Sequence, residues 1–260
     1  MLPTVFVSHG SPMIMLQQTK AHEFLTHFGQ QLGRPEAIIV ASAHYESDMP
    51  TVTSDAQPRM IYDFGGFPKP LYEMTYSAPG APDLAERIVA MLGQKGVNAR
   101  TQADRGYDHG TWVPLKLMYP DASIPVVQIS VQSRQSASAH IELARALAPL
   151  RHENILIMGS GSLTHNLYEL IRSGMQLDGK APEWVEAFAS WAHEKASAGD
   201  LDALSHYLER APFARENHPS PEHYLPLPFA LAAAGEGAKG ERVHTSCEYG
   251  VLMMDTYIFN

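Results

Sequence analysis

Ala37-Ile38-Ile39-Val40-Ala41-Ser42-Ala43-His44-Tyr45 is an apolar, partly β-branched run that leads into a histidine and a tyrosine. A stretch this short and this apolar predicts a strand buried on both faces over Ala37 to Ala43, emerging into a loop at His44. The same reasoning predicts strands over Thr4 to Ser8, Asn98 to Gln102, Pro125 to Val131 and Ile155 to Ser160, with a final pair near Arg242 to Cys247 and Val251 to Ile258. Between them lie segments of helical period: Lys20 to Leu32, Pro82 to Gln94, Ala137 to Ala148, Pro182 to Ala198, Leu201 to Glu209 and Pro221 to Ala234. Several open on proline, whose missing N–H costs little in a first turn. Strands alternating with helices predict an α/β fold: one domain over residues 1–260, with a central, mostly parallel sheet flanked by helices. In such sheets ligands bind at the carboxyl edge of the strands. The stretch Tyr45 to Pro79, rich in proline, glycine and aromatic residues, reads as a long ordered excursion.

Five of the 13 histidines sit in short Gly-, Pro- or Ser-rich segments. His9 precedes Gly10-Ser11-Pro12 after the first strand, and His44 ends the second. His109 lies in Asp108-His109-Gly110-Thr111-Trp112, where Asp108 could tune its basicity and Trp112 could wall an aromatic pocket, the alternative being a turn with a chance histidine. His165 follows the small-residue stretch Gly159-Ser160-Gly161-Ser162. His223 lies in Pro221-Glu222-His223-Tyr224 near the start of an apolar helix, with Glu222 beside it as an alternative ligand. Imidazole binds transition metals and moves protons near neutral pH, so this placement points to a metal centre with a proton-transfer partner at the strand ends. For His9 taken alone, a structural histidine is an equally good account; His44 in the same strand-end context on a second strand favours a shared site. His22, His27, His140, His152, His193 and His206 fall in helical or polar stretches and read as solvated surface residues. His218 could line the same pocket as His223, and His244 falls in a candidate strand.

Composition narrows the function classes. With 19 Lys+Arg against 28 Asp+Glu the formal charge is −9, and the basic residues form no cluster. Nucleic-acid and anionic-membrane binding are therefore not expected. The single cysteine, Cys247, cannot form an internal disulfide, and no apolar stretch approaches the roughly 20 residues of a membrane helix. A reduced, cytoplasmic protein is the expectation. No Gly-x-Ser-x-Gly elbow marks a serine nucleophile, because Leu163 stands where the last glycine belongs, and no Gly-x-Gly-x-x-Gly follows the first strand.

Six segments in order resemble a known family. Ser8-His9-Gly10-Ser11-Pro12, Ser42-Ala43-His44-Tyr45, Asp63-Phe64-Gly65-Gly66-Phe67-Pro68, Asp108-His109-Gly110-Thr111-Trp112, Thr164-His165-Asn166-Leu167 and Pro221-Glu222-His223-Tyr224-Leu225-Pro226 look like the motifs of the class III extradiol ring-cleavage dioxygenases, DOPA 4,5-dioxygenase-like branch. The resemblance runs over nearly the whole chain. It implies a non-haem metal held by His9, His44 and His223. His165 would be the acid/base histidine and a further metal ligand when substrate is absent, and His109 a pocket residue beside the metal. In protocatechuate-cleaving relatives the third ligand is a glutamate, where this sequence has His223.

That resemblance implies a catechol and O2 as small-molecule substrates, opened to a muconic semialdehyde, with Fe(II) expected for activity and Zn(II) as another ion the site could bind. Three protein ligands leave positions open for both catechol oxygens and O2, which a closed four-ligand site would not. His165 would take a hydroxyl proton and return it later. Tyr45, Phe64, Phe67, Trp112 and Tyr224 are candidate aromatic neighbours of a flat substrate, and Arg59, Lys69 and Arg105 are candidates to meet a substrate carboxylate. Two rival readings use the same residues: a zinc hydrolase with His165 as base, and a non-catalytic metal- or ligand-binding protein. The presence of both His109 and His165 argues against the latter, because a pure binding module needs no proton shuttle.

Overall fold

The computed structural model describes residues 1–260. Its ten strands are β1 (Thr4–Ser8), β2 (Ala37–Glu46), β3 (Thr51–Thr53), β4 (Arg100–Gln102), β5 (Val126–Val131), β6 (Ile155–Gly161), β7 (Gly240–His244), β8 (Cys247–Glu248), β9 (Leu252–Met253) and β10 (Thr256–Phe259). Eight form one sheet in the order β4-β3-β5-β2-β6-β1-β10-β7, and β8 with β9 make a separate hairpin. The middle four, β5, β2, β6 and β1, are parallel, while β3 runs antiparallel to β5 and β10 antiparallel to β1. Because the four central strands are parallel, their carboxyl ends share one edge. His9, His44 and the segment leading to His165 all emerge there.

The parallel strands are apolar throughout because both faces are covered. Alternate residues point to opposite sides. Ile38 and Val40 join a core with Leu25 and Phe28 of the helix Lys20–Leu32 and with Trp112 and Val113 of the helix His109–Met118. Ile39 and Ala41 face the other way, against Leu84 and Ile88 of the helix Pro82–Gln94, Ile141 and Ala144 of the helix Ala137–Leu147, and Phe229 of the helix Pro226–Ala233. Phe6, Tyr257 and Phe259 pack on Phe188 and Ala192 of the helix Glu183–Ala198. Burying each such side chain is worth roughly 1.5–3 kcal/mol. The helix Pro226–Ala233 is apolar all round and buried at all eight positions. It lies directly on β6 because Gly159 has no side chain; a methyl group there would strike the Pro226 carbonyl.

The helices Lys20–Leu32 and Pro82–Gln94 have the bounds that periodicity gives them. Other segments differ. The expected helix Leu201 to Glu209 breaks at His206 into Leu201–Ser205 and Tyr207–Arg210. Residues 221–225 are turns, so the last helix starts at Pro226. The two C-terminal strands become four short ones, with turns at Tyr249 and Gly250 at positive φ. The excursion after Tyr45 contains β3 and a short helix, Lys69–Glu73. The segment from His109, for which no helix was expected, is the first part of a ten-residue helix. Its glycine, threonine and Pro114 hide the helical signal, but Asp108 caps it by accepting from the Thr111 N–H at 3.1 Å. His140, read as a surface residue, is 2% exposed, and its Nε2 accepts the Gln132 N–H at 3.0 Å.

Candidate metal centre

His9 follows β1 directly, with its N–H on the Gly161 carbonyl at 3.0 Å. Gly10 then turns the chain at φ +62°, in the left-handed region that favours glycine, and a methyl group there would strike Met254. His44 is presented by a bulge. Between Ser42, opposite Ser130, and Glu46, opposite Val131, β2 advances four residues while β5 advances one. The bulge is pinned from below: the His44 N–H donates to Ser42 Oγ at 3.2 Å, Ser42 donates to Asp108 at 2.7 Å, and Arg105 donates to the His44 carbonyl at 2.9 Å and to Asp108 at 3.0 Å. His223 is carried by the turn before the helix Pro226–Ala233, and its carbonyl accepts the Ser162 N–H at 3.0 Å. A methyl group on Gly161 would collide with that same carbonyl. The small-residue stretch after β6 therefore lets the His223 turn lie against the sheet edge.

These three elements bring three imidazoles to one point. His44 Nε2 lies 3.1 Å from His9 Nε2 and 3.2 Å from His223 Nε2. Metal–nitrogen bonds of roughly 2.0–2.1 Å at angles of roughly 90–110° give nitrogen–nitrogen edges of about 2.9–3.4 Å, so the donor set fits one transition-metal ion. Each ring presents Nε2 because Nδ1 is turned to a partner. His9 Nδ1 lies 3.0 Å from Ser160 Oγ. The Ser160 hydroxyl is donated to the carbonyl of Gly110, so its oxygen is left to accept from His9. That carbonyl is free for Ser160 because Pro114, four residues on, has no N–H to give it. His223 Nδ1 lies 3.0 Å from Glu222 Oε1, and His44 Nδ1 lies 3.4 Å from Asp63 Oδ2. Such outer partners fix the tautomer and orient a ligand ring.

Burial, and then the neighbouring imidazoles, hold His9 and His223 well below the ordinary histidine pKa; burial and His109 do the same to His44. All three are therefore neutral at pH 7, with lone pairs available to a cation. Burial alone would raise the Asp63 carboxyl, but contacts with His109 bring it down to about 2. His109 Nδ1 lies 3.0 Å from Asp63 Oδ1, too bent for its N–H to point at the oxygen, whereas the His109 backbone N–H reaches that oxygen at 2.9 Å.

His165 stands to one side. Its ring stacks on that of His223, with centroids 3.5 Å apart and planes 8° from parallel, and burial pushes its pKa down to about 4. Its potential ligand atoms group with those of Glu222 and His223 rather than with His9 and His44. His109 sits on the other flank, its centroid 3.8 Å from that of His44. All five histidines line one cavity of about 380 Å³, walled further by Phe64 and Phe67.

A family model described as the catalytic LigB subunit of aromatic ring-opening dioxygenase matches residues 3–259. The chain belongs to the LigB family. LigB dioxygenases are metal-dependent, and the histidine cluster described here is able to hold the ion. Among characterised relatives, the 4,5-DOPA dioxygenase extradiol of Beta vulgaris is 44% identical over 98% of this chain and 96% of its own length. The 4,5-DOPA dioxygenase extradiol of Escherichia coli K12 is 40% identical over 89% of this chain and 85% of its own. A solved structure, an uncharacterized protein JW3007 from Escherichia coli K12, superposes with a TM-score of 0.79 at 31% identity and covers 99% of both chains. This chain is accordingly an aromatic ring-opening enzyme of extradiol type. No helix is long and apolar enough to cross a membrane.

Several expected neighbours of this LigB site lie elsewhere. Trp112 is wholly buried beneath it, donating to the Ile61 carbonyl at 3.3 Å, and neither Tyr45 nor Tyr224 lines the cavity. His218 is buried among Phe188, Tyr207 and Tyr224, with Nε2 on the Leu163 carbonyl at 2.9 Å. None of the three candidate cations reaches the cavity. Asp63, Ser160 and the bulge were not singled out in the sequence as parts of the site. Asp63 lay within a motif of the resemblance, and Ser160 beside His165, but neither carried a spacing signal of its own.

Proposed function

We propose that this protein is a non-haem Fe(II) extradiol dioxygenase that opens the ring of a DOPA-like catechol with O2 to a muconic semialdehyde. The observation that carries this reading is the convergence of three neutral imidazole Nε2 atoms on the wall of a cavity that also contains His165 and His109. His9, His44 and His223 would hold the ion; when bound it supplies the positive charge that binds and acidifies a catechol and the redox chemistry that engages O2.

The chain's own groups do the rest. His165 lines the cavity and, kept neutral by burial, is ready to accept a catechol hydroxyl proton at a ring nitrogen and return it after ring opening. Its stacking on His223 supports that role over a fourth ligand. The potential ligand atoms of His165 do not group with those of His9 and His44. His109, held at its backbone N–H by Asp63 and lying against the His44 ring, offers a ring N–H to the substrate from the other flank. Phe64 and Phe67 cover the ring and exclude water.

The test is reconstitution of metal-free protein with Fe(II) or Zn(II) without air, followed by DOPA and oxygen. Oxygen uptake and the yellow absorbance of a semialdehyde with Fe(II) alone are expected. Tight stoichiometric metal with no oxygen uptake on any catechol would overturn the reading.

A further inference from the structure

The cavity that holds the histidines is lined by eighteen residues, among them two carboxylates, Asp63 and Glu222, and no lysine or arginine. The cations nearest in sequence are committed elsewhere. Arg105 is spent on Asp108 and the His44 carbonyl, and its guanidinium lies over the Tyr45 ring at 4.6 Å. Lys69 pairs with Glu73 at 2.9 Å on the surface, and Arg59 does not line the cavity. At two helix starts beside the cavity, side chains already occupy backbone N–H groups. The helix His109–Met118 has its first N–H on Asp63 and its Thr111 N–H on Asp108, and Asn166 occupies the Glu169 N–H of the helix that follows His165. The mouth is apolar: Leu167 and Met175 stand 53% and 48% exposed at its rim, with Leu170 and Leu252 behind them.

We propose that this pocket selects catechols by the charge of their side chain, taking those with a cationic or neutral tail and rejecting those with an anionic one. The inference rests on the ring-cleaving reading and names its substrate class. A carboxylate tail on the bound ring leaves water for an apolar mouth, shares the cavity with the carboxylates of Asp63 and Glu222, and meets no lysine or arginine. An ammonium tail meets those carboxylates favourably, and an alkyl tail gains the contact of Leu167, Leu170 and Met175. A zwitterion such as DOPA carries both terms and falls between.

The test compares dopamine, 4-ethylcatechol, L-DOPA and 3,4-dihydroxyphenylpropionate, whose tails differ mainly in charge. Affinity is read by calorimetry on the Zn(II)-loaded protein, and kcat/KM on the Fe(II)-loaded protein. The anionic catechol is expected to bind at least ~10-fold more weakly than 4-ethylcatechol and dopamine, equivalent to ~1.4 kcal/mol. Leu167→Arg, a change at an exposed rim position, is expected to close most of that gap by strengthening the anionic catechol alone. Equal or tighter binding of the anionic catechol to the unmodified protein overturns the inference. The expected order of affinities without ring opening under Fe(II) would leave the charge selection standing and remove the dioxygenase reading instead.

Discussion

The hydroxyl of Ser160 sits 3.0 Å from His9 Nδ1 and is itself donated to the carbonyl of Gly110. Removing the hydroxyl leaves His9 without the partner that selects its tautomer. Ser160→Ala is therefore expected to fold normally and to bind metal ~10- to 100-fold more weakly, the usual cost of losing an outer partner. Pro114→Ala acts one step further back, because a restored N–H at that position competes for the Gly110 carbonyl. It should weaken metal binding in the same direction by less. Competition with a chelator checks both, and unchanged affinity in Ser160→Ala would remove this chain of contacts from the account.

His165 and His109 flank the trio from opposite sides. If proton transfer is the task of His165, His165→Ala keeps metal stoichiometry while kcat falls by ~10²–10⁴-fold. His109→Ala should likewise lower turnover more than metal content. Metal analysis beside steady-state rates separates these outcomes from loss of a ligand, and loss of the ion in His165→Ala would make that residue a ligand after all.

Gly161 lets the His223 turn lie against β6. Because a methyl group would meet backbone there, Gly161→Ala must push the His223 carbonyl and its Ser162 hydrogen bond aside. Loss of metal affinity together with a lowered unfolding midpoint is expected, whereas Gly65→Ala, where nothing lies within 4 Å, should change the unfolding midpoint little. Thermal melts of the metal-free and metal-loaded forms read both.

Buried neutral imidazoles make the metal-free protein acid-labile. Burial holds His218 down to about 3, against an unfolded value near 6.5. Below about pH 6.5 the unfolded chain binds a proton that the folded one refuses, so this contribution is fully present above that pH and is lost as pH falls. The cost is ~1.4 kcal/mol per pH unit for His218 alone. Urea unfolding at pH 7.5 and 5.5 should show the drop, and His218→Phe should flatten it by about that amount. A midpoint that rises on acidification would contradict the sign.

The parallel core was legible because strands buried on both faces read as continuous apolar runs, as Ile38 to Ala41 and Ile155 to Met158 do. The histidines were legible because each interrupts small or rigid residues at a strand end. The helix at His109 was not, because glycine, threonine and proline suppress its intrinsic propensity and tertiary packing with the Asp108 cap stabilises it. His140 was misread because helical periodicity gives a residue's face but not whether another segment covers it. The bulge that aims His44 arises from a register mismatch between β2 and β5, which neither strand's sequence contains alone. The candidate cations failed for a related reason: proximity in sequence to a motif says nothing about which carboxylate claims the charge in space, as Arg105 on Asp108 shows.

The most direct test of the central claim is the isotopic content of the product formed from DOPA by the Fe(II)-loaded protein under ¹⁸O2. Extradiol cleavage at the His9, His44 and His223 site predicts a ring-opened semialdehyde carrying both labelled atoms, with none formed by His223→Ala. An unlabelled product, or one oxygen atom inserted with the ring intact, would contradict it.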